Sequence, residues 1–181
     1  MLRLMLLLSI SCAPVCAAAE CYIADGSDGT VTFHVLQAGA PYTGNFRRFS
    51  GEVCLTQDRI TRIDATLDPA SVDTGLPELD ANLMKADFFD VGKFPSVTFT
   101  SSSVQQQGDS YTVLGTLMIK GNNRKVDVVL KSQQANGKIS ISGSITLDRL
   151  QYDIGMGDWT NTKWLGAEVR VDIKAVLARK K

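Results

Sequence analysis

The chain has 181 residues with 19 basic and 19 acidic side chains, so its formal charge is zero. That balance offers nothing to a nucleic acid or another strongly anionic partner, and the scattered aromatics do not interleave with a basic patch. The length suits one domain with a core large enough to stand without metals or many disulfides.

Met1-Leu2-Arg3 is a positive start, residues 4–10 are an apolar run, and Ala17-Ala18-Ala19 is a small-residue cleavage site. This is the anatomy of a signal peptide cut before Glu20. The expectation is a cleaved leader over 1–19, one domain over 20–181, and a periplasmic protein that is soluble after cleavage. The apolar run is too short to span a bilayer. A lipoprotein cysteine at Cys12 or Cys21 is the alternative, but the residues before each fit it poorly.

Cleavage removes Cys12 and Cys16 and leaves Cys21 and Cys54. Two cysteines in an oxidising compartment suggest a disulfide, with a pair of unpaired buried thiols as the other reading. A simple hairpin about Ala40-Pro41 does not bring them opposite, and a shift at the 26–29 turn is needed to join them.

From Val31 onward the chain alternates. Val31, Phe33 and Val35 are apolar against Thr32 and His34; Phe49, Gly51, Val53 and Leu55 share a parity, and so do Ile63, Ala65 and Leu67. These are strands with one buried face. Residues 71–101 break the rhythm. Leu76, Leu79 and Leu83 recur at helical spacing, Pro77 suits a first turn, and Glu78 and Asp80 sit where negative charge favours the helix dipole. This predicts a short helical segment over about 76–90, with Phe88 and Phe89, lying over one end of a sheet structure. Pro95 opens the next strand.

A polar turn is expected at 105–110. Val113, Gly115, Leu117 and Ile119 then share one face, as do Val126, Val128 and Leu130. After the Asn136-Gly137 turn, Ile139, Ile141, Gly143, Ile145 and Leu147 alternate without a break. An irregular stretch holds Trp159 and Trp164, and Val169, Val171, Ile173, Ala175 and Leu177 form the last strand. About eight strands result, compatible with a barrel or a two-sheet sandwich.

Ser71-Val72-Asp73-Thr74-Gly75, Ala86-Asp87-Phe88-Phe89-Asp90-Val91, Lys93-Phe94-Pro95, Gly115-Thr116-Leu117-Met118-Ile119-Lys120-Gly121 and Asp148-Arg149 with Tyr152-Asp153-Ile154-Gly155 resemble the YceI-like family of periplasmic polyisoprenoid-binding proteins. The resemblance covers nearly the whole chain after the leader. It implies an all-β fold: an extended, eight-stranded antiparallel lipocalin-like barrel holding an isoprenoid lipid, polyprenyl or quinone-type. The run from Ile154 to Trp159, with Gly166-Ala167-Glu168-Val169, is similar to a branch associated with membrane b-type cytochromes. It implies such a cytochrome, on a separate polypeptide, as a partner.

Catalytic patterns are weak. His34 is the single histidine; it points outward by parity, and no orienting partner is identifiable. Asp73, Asp80, Asp87 and Asp90 lack an EF-hand spacing and read as caps and solvated positions. Asp148 and Arg149 read as a strand-end ion pair. The expectation is a binding protein without catalytic residues, metal or cofactor.

The inward parity outlines a tube lined by Val31, Phe33, Val53, Phe99, Val113, Leu117, Val128, Ile141, Ile145 and Val171. Small Gly51, Ala65, Gly115, Gly143 and Ala175 leave room, and Trp159 is a candidate cap or head-group contact. By parity alone these residues equally suit a filled core, and with it a non-catalytic interaction module. The resemblance implies that they line a lipid cavity.

Overall fold

The computed structural model describes residues 19–25 and 28–180. The expected leader up to residue 18, with Cys12 and Cys16, lies outside them, as does part of the 26–29 turn. Among the described residues the strands are β1 (Glu20–Asp25), β2 (Gly29–Gln37), β3 (Ala40–Phe46), β4 (Phe49–Thr56), β5 (Arg59–Leu67), β6 (Val72–Asp73), β7 (Val97–Gln107), β8 (Ser110–Ile119), β9 (Asn122–Ala135), β10 (Lys138–Asp148) and β11 (Leu165–Arg179), with one α-helix, α1 (Pro77–Leu83).

The strands form a closed antiparallel barrel of 8 walls. β1 and β2 lie end to end along β11, and β3 and β4 together face them as one interrupted partner. From there the sheet meanders through β5, β7, β8, β9 and β10 back to β11. The β1–β11 pairing closes the ring at the disulfide end; toward the other end, among the described residues, β3 over 40–44 and β10 over 145–148 pair with a strand on one edge only.

The first hairpin turns at Ala38 and Gly39, both in the left-handed region, and not at Ala40-Pro41. Two consecutive positive φ angles match the right-handed twist of the flanking strands. Continuing the β2–β3 register would set Asp25 opposite Glu52; it stands opposite Ser50. That slip places Cys21 directly across from Cys54, and the two are joined in a disulfide. The matching break in the partner wall, at Arg47 and Arg48, is filled by the crossover from β5. The amide of Arg47 donates to the Ser71 carbonyl (3.1 Å), that of Arg48 to the Ser71 hydroxyl (3.0 Å), and that of Asp68 to the Arg48 carbonyl (3.0 Å).

Two expectations shift in extent. The polar stretch after Ser101 is not a turn from Gln105: β7 continues to Gln107 and pairs to Ser110, leaving only Gly108 and Asp109 between the strands. Backbone pairing with β8 extends the strand there without an apolar face. The 76–90 segment is helical over Pro77–Leu83 alone; Leu76 is its N-cap and stays 55% exposed. Beyond it, turn bonds such as Phe89 N–H to Leu83 O (3.0 Å) and Val91 N–H to Met84 O (3.1 Å) wrap the chain into a compact knot.

At the disulfide end Glu52 accepts from Lys180 (2.5 Å) and pairs with Arg62, tying the end of the chain to β4. The Lys180 hydrogen bond holds the Glu52 carboxyl below its ordinary value against an opposing desolvation, with the Lys180 and Arg62 charges adding. A carboxyl depressed in the fold stabilises it above the unfolded pKa and loses that contribution as pH falls through the folded one. Glu52→Gln should therefore flatten the acid limb of a stability-versus-pH curve and leave the neutral limb level. Reduction of the disulfide, or Cys54→Ser, should lower the unfolding free energy by about 3–4 kcal/mol in a guanidinium titration.

Candidate functional site

The interior has two halves of different character. At the disulfide end it is solid: Val53, Leu55, Ile60, Ile63, Tyr111, Val113, Leu130, Ile139 and Leu177 are all buried in one cluster. At the other end a smaller cluster around Val31, Phe46 and Val72 fills only part of the interior, leaving a cavity of about 250 Å³. Val31, Phe33 and Val35 of β2, Ala65 and Leu67 of β5, Leu117 and Ile119 of β8, Ile145 and Leu147 of β10, and Val169, Val171 and Ile173 of β11 face it. The lining is hydrocarbon apart from Ser50, Thr66, Arg149 and Tyr152. An apolar chain is the cargo such a wall can desolvate, since it offers few polar groups to orient anything else.

Two segments cap this end. The first runs from α1 through the turns that follow. Its Leu83, Phe88 and Phe89 reach the cavity, and Phe89 meets Phe46 edge-on (5.7 Å between centroids), which in turn meets Phe33 (5.6 Å). The second follows β10 and includes Arg149, Tyr152 and Ile154. The segments are joined by backbone: the amides of Gly155 and Met156 donate to the Asp87 carbonyl (2.7 and 2.9 Å). Lys120 clamps both, donating to the carbonyls of Ala86 (2.6 Å) and Asp153 (2.7 Å).

Arg149 holds the second segment in shape. It is 4% exposed. Nε donates to Gly166 O (2.9 Å), Nη1 to the carbonyls of Ile154 (2.7 Å) and Gly155 (2.9 Å), and Nη2 to those of Trp159 (2.6 Å) and Leu165 (2.7 Å). Every N–H of the guanidinium fork is thereby satisfied by backbone. Desolvation pulls its pKa down, and the Asp148 charge opposes this. The expected Asp148–Arg149 ion pair does not form; the Asp148 carboxylate accepts instead from the Leu150 amide (3.0 Å) as a cap. Burial likewise pushes the Tyr152 hydroxyl up, partly offset by Arg124.

Residues 22–177 match the YceI-like domain. The chain belongs to the YceI-like family. A UPF0312 protein of Shewanella baltica is 35% identical over 115 residues, 61% of this chain and 58% of that protein. Protein YceI of Salmonella arizonae is 32% identical over 110 residues, 59% of this chain and 58% of its own length. The chain thus aligns with less than two thirds of these relatives. BcnA of Burkholderia cenocepacia superimposes with a TM-score of 0.81 at 27% identity, over 86% of this chain and 99% of BcnA. A polyisoprenoid-binding domain from Saccharophagus degradans, implicated in plant cell wall breakdown, shares the fold with a TM-score of 0.71 at 16% identity, over 88% and 98% of the two chains.

Within this YceI-like barrel the residues expected along the tube divide. Val31, Phe33, Phe99, Leu117, Ile145 and Val171 border the cavity. Val53 and Val113 lie in the solid half, and Ile141 packs against it. Val128 is buried opposite Val113, outside the cavity lining. Gly115 leaves no void: a methyl there would overlap the Phe99 ring, which occupies the space. Trp159 stands behind the cap against Phe88 (5.7 Å between centroids) and does not reach the cavity. Parity separates inside from outside but carries no information on which end is filled, so it named both halves alike. The tube so outlined leaves out Val35 and Ile173, which share the inward parity, and Phe46, Leu83 and Tyr152, which also border the cavity.

Three of the four acidic residues expected as caps and solvated positions are engaged locally, and the Asp87 side chain is exposed. Asp73 pairs with Arg47 (2.5 Å), Asp80 accepts from the Thr74 amide and hydroxyl (2.9 and 2.6 Å), and Asp90 faces Lys93 (3.4 Å). His34 does have an orienting partner, contrary to expectation. Its Nε2 is 3.0 Å from Asp172 and its Nδ1 is 3.1 Å from the Thr43 hydroxyl. The group lies on the outer face of β2, β3 and β11, away from the cavity lining.

Arg149→Met should preserve much of the side-chain volume but strip five carbonyls of their donor. The expected cost is at least ~3 kcal/mol, since charged hydrogen bonds are lost and buried acceptors are left unpaired. Thermal unfolding gives the magnitude, and amide exchange should show loss of protection concentrated in residues 153–166.

Proposed function

We propose that this chain is a periplasmic carrier that sequesters one isoprenoid lipid, polyprenyl or quinone-type, with its hydrocarbon chain in the capped half of the barrel and without chemical conversion. The observation that carries the reading is the cavity of about 250 Å³ with its almost wholly hydrocarbon lining. A ligand held there gains affinity from burial. Each methylene removed from water contributes about 0.8 kcal/mol, so a five-carbon prenyl unit contributes about 4 kcal/mol before the costs of immobilisation. The polyisoprenoid-binding domain of Saccharophagus degradans, which shares the fold, favours an isoprenoid over a straight alkyl chain. The leader-like residues 1–19 and a disulfide suited to an oxidising compartment favour export. The polar groups that border the cavity, Arg149 among them, are too few to assemble an acid–base pair with a nucleophile, which favours a carrier over an enzyme.

Mass spectrometry of an organic extract from the purified protein tests this directly. A stoichiometric isoprenoid is the expected result. An extract holding only straight-chain fatty acids, or none of the isoprenoids offered on reloading, rejects the reading. Leu117→Trp should fill the cavity and lower isoprenoid loading at least about tenfold in a folded barrel.

A further inference from the structure

The boundary between the hollow and the solid half is drawn by unusual residues. On three walls it falls at a glycine: Gly51 between the cavity-lining Phe49 and the core Val53, Gly115 between Leu117 and Val113, and Gly143 between Ile145 and Ile141. Gly51 stands opposite Ala65, and Ala65 opposite Phe99. Phe99 is the large residue at this level. It borders the cavity on one side and packs against the solid cluster on the other. Its ring lies over Gly115 so closely that a methyl at Gly115 would overlap it. At Gly115 the vacated space is where the Phe99 ring lies, and at Gly143 a methyl would press on β9 at Val129 and Leu130, whereas a methyl at Gly51 would meet only the Asp64 carbonyl.

We propose that the Phe99 ring, seated on Gly115, is the stop that sets how long an apolar chain the cavity accepts, a specificity role that rests on the carrier reading of the same cavity. A chain entering from the capped end runs down between Val171, Leu117 and Ile145 until it meets the ring. Below the ring the space is already occupied by Val113, Ile139 and Leu177. The cavity volume of about 250 Å³ lies just under the roughly 300–1,000 Å³ usual for pockets of drug-sized ligands. It accordingly suits a few prenyl units, and the excess of a longer chain is left outside.

The test measures affinity for two homologous series on the delipidated chain: prenyl alcohols from two units upward, and unbranched alkanols of matching length. In the native protein affinity should rise about tenfold or more with each prenyl unit that is buried, then level off at a short chain. Phe99→Ala removes six ring carbons against five in a prenyl unit, so the plateau should move out by about one unit in both series. Phe99→Leu, which keeps the fold better filled, should move it less and in the same direction. A plateau unchanged in folded Phe99→Leu and Phe99→Ala proteins, or affinity rising without a plateau in the native one, overturns the stop. Alkanols that bind and level off while no prenyl alcohol binds would reject the isoprenoid reading and leave the stop supported. Binding of neither series rejects both.

Discussion

Backbone closure along β11 is the constraint on which the rest of the molecule depends. This strand, Leu165–Arg179, pairs with β10 on one edge and with β2 and then β1 on the other. This one strand thus ties both halves of the wall together by backbone hydrogen bonds, while β9 and β10 stay paired only from the disulfide end as far as Val129 and Ser144. A sheet that closes on itself does not need a second layer to cover its inner face. The interior can then be filled at one end and empty at the other without the wall parting. The solid cluster around Val113, Ile139 and Leu177 supplies hydrophobic stabilisation for the barrel, and the cavity forgoes its share.

Emptiness at the capped end has to be enclosed, and the Asp148–Gly155 motif does much of this work through backbone chemistry. Asp148 caps the turn Arg149–Tyr152, and Asp153 closes it in the left-handed region while accepting from Asn122 (3.0 Å). Gly155 has φ of +72°, and a methyl there would overlap Arg149. Arg149 then gathers carbonyls from both sides of the loop. Lysine cannot substitute in this role, because a compact ammonium has three donors and no planar fork to reach them. An irregular loop that is covered by its neighbours requires such a donor, since buried carbonyls without partners are expensive.

Much of the barrel was legible in the sequence, because alternation reports the buried face of each strand and turn residues report its ends. Cys21 and Cys54 could be suspected as a pair, but their register depends on a two-residue slip between the β2–β3 and β1–β4 pairings that no side-chain pattern encodes. Leu76 looked like part of an apolar stripe; at the N-cap of a helix only Pro77–Leu83 long, it faces solvent instead. Adjacency to Asp148 suggests an ion pair for Arg149. Its true partners are carbonyls, which have no identity in the sequence. The candidate site was half legible for a physical reason as well. A strand's parity repeats every second residue from one end of the barrel to the other, whereas filled and hollow halves differ along the axis, a direction to which parity is blind.

The separation of a packed half from a hollow half under one continuous wall bears on how such a barrel can change over evolutionary time. Residues around Ile139 and residues around Ile145 share a strand yet belong to different side-chain neighbourhoods. Substitutions in neighbourhoods without shared partners combine additively in free energy. A lineage can therefore drift in what the hollow half holds while the packed half preserves foldability, and each trait answers to selection on its own. Phe99 is the exception, because it belongs to both neighbourhoods, and exchange at that position couples cargo to stability.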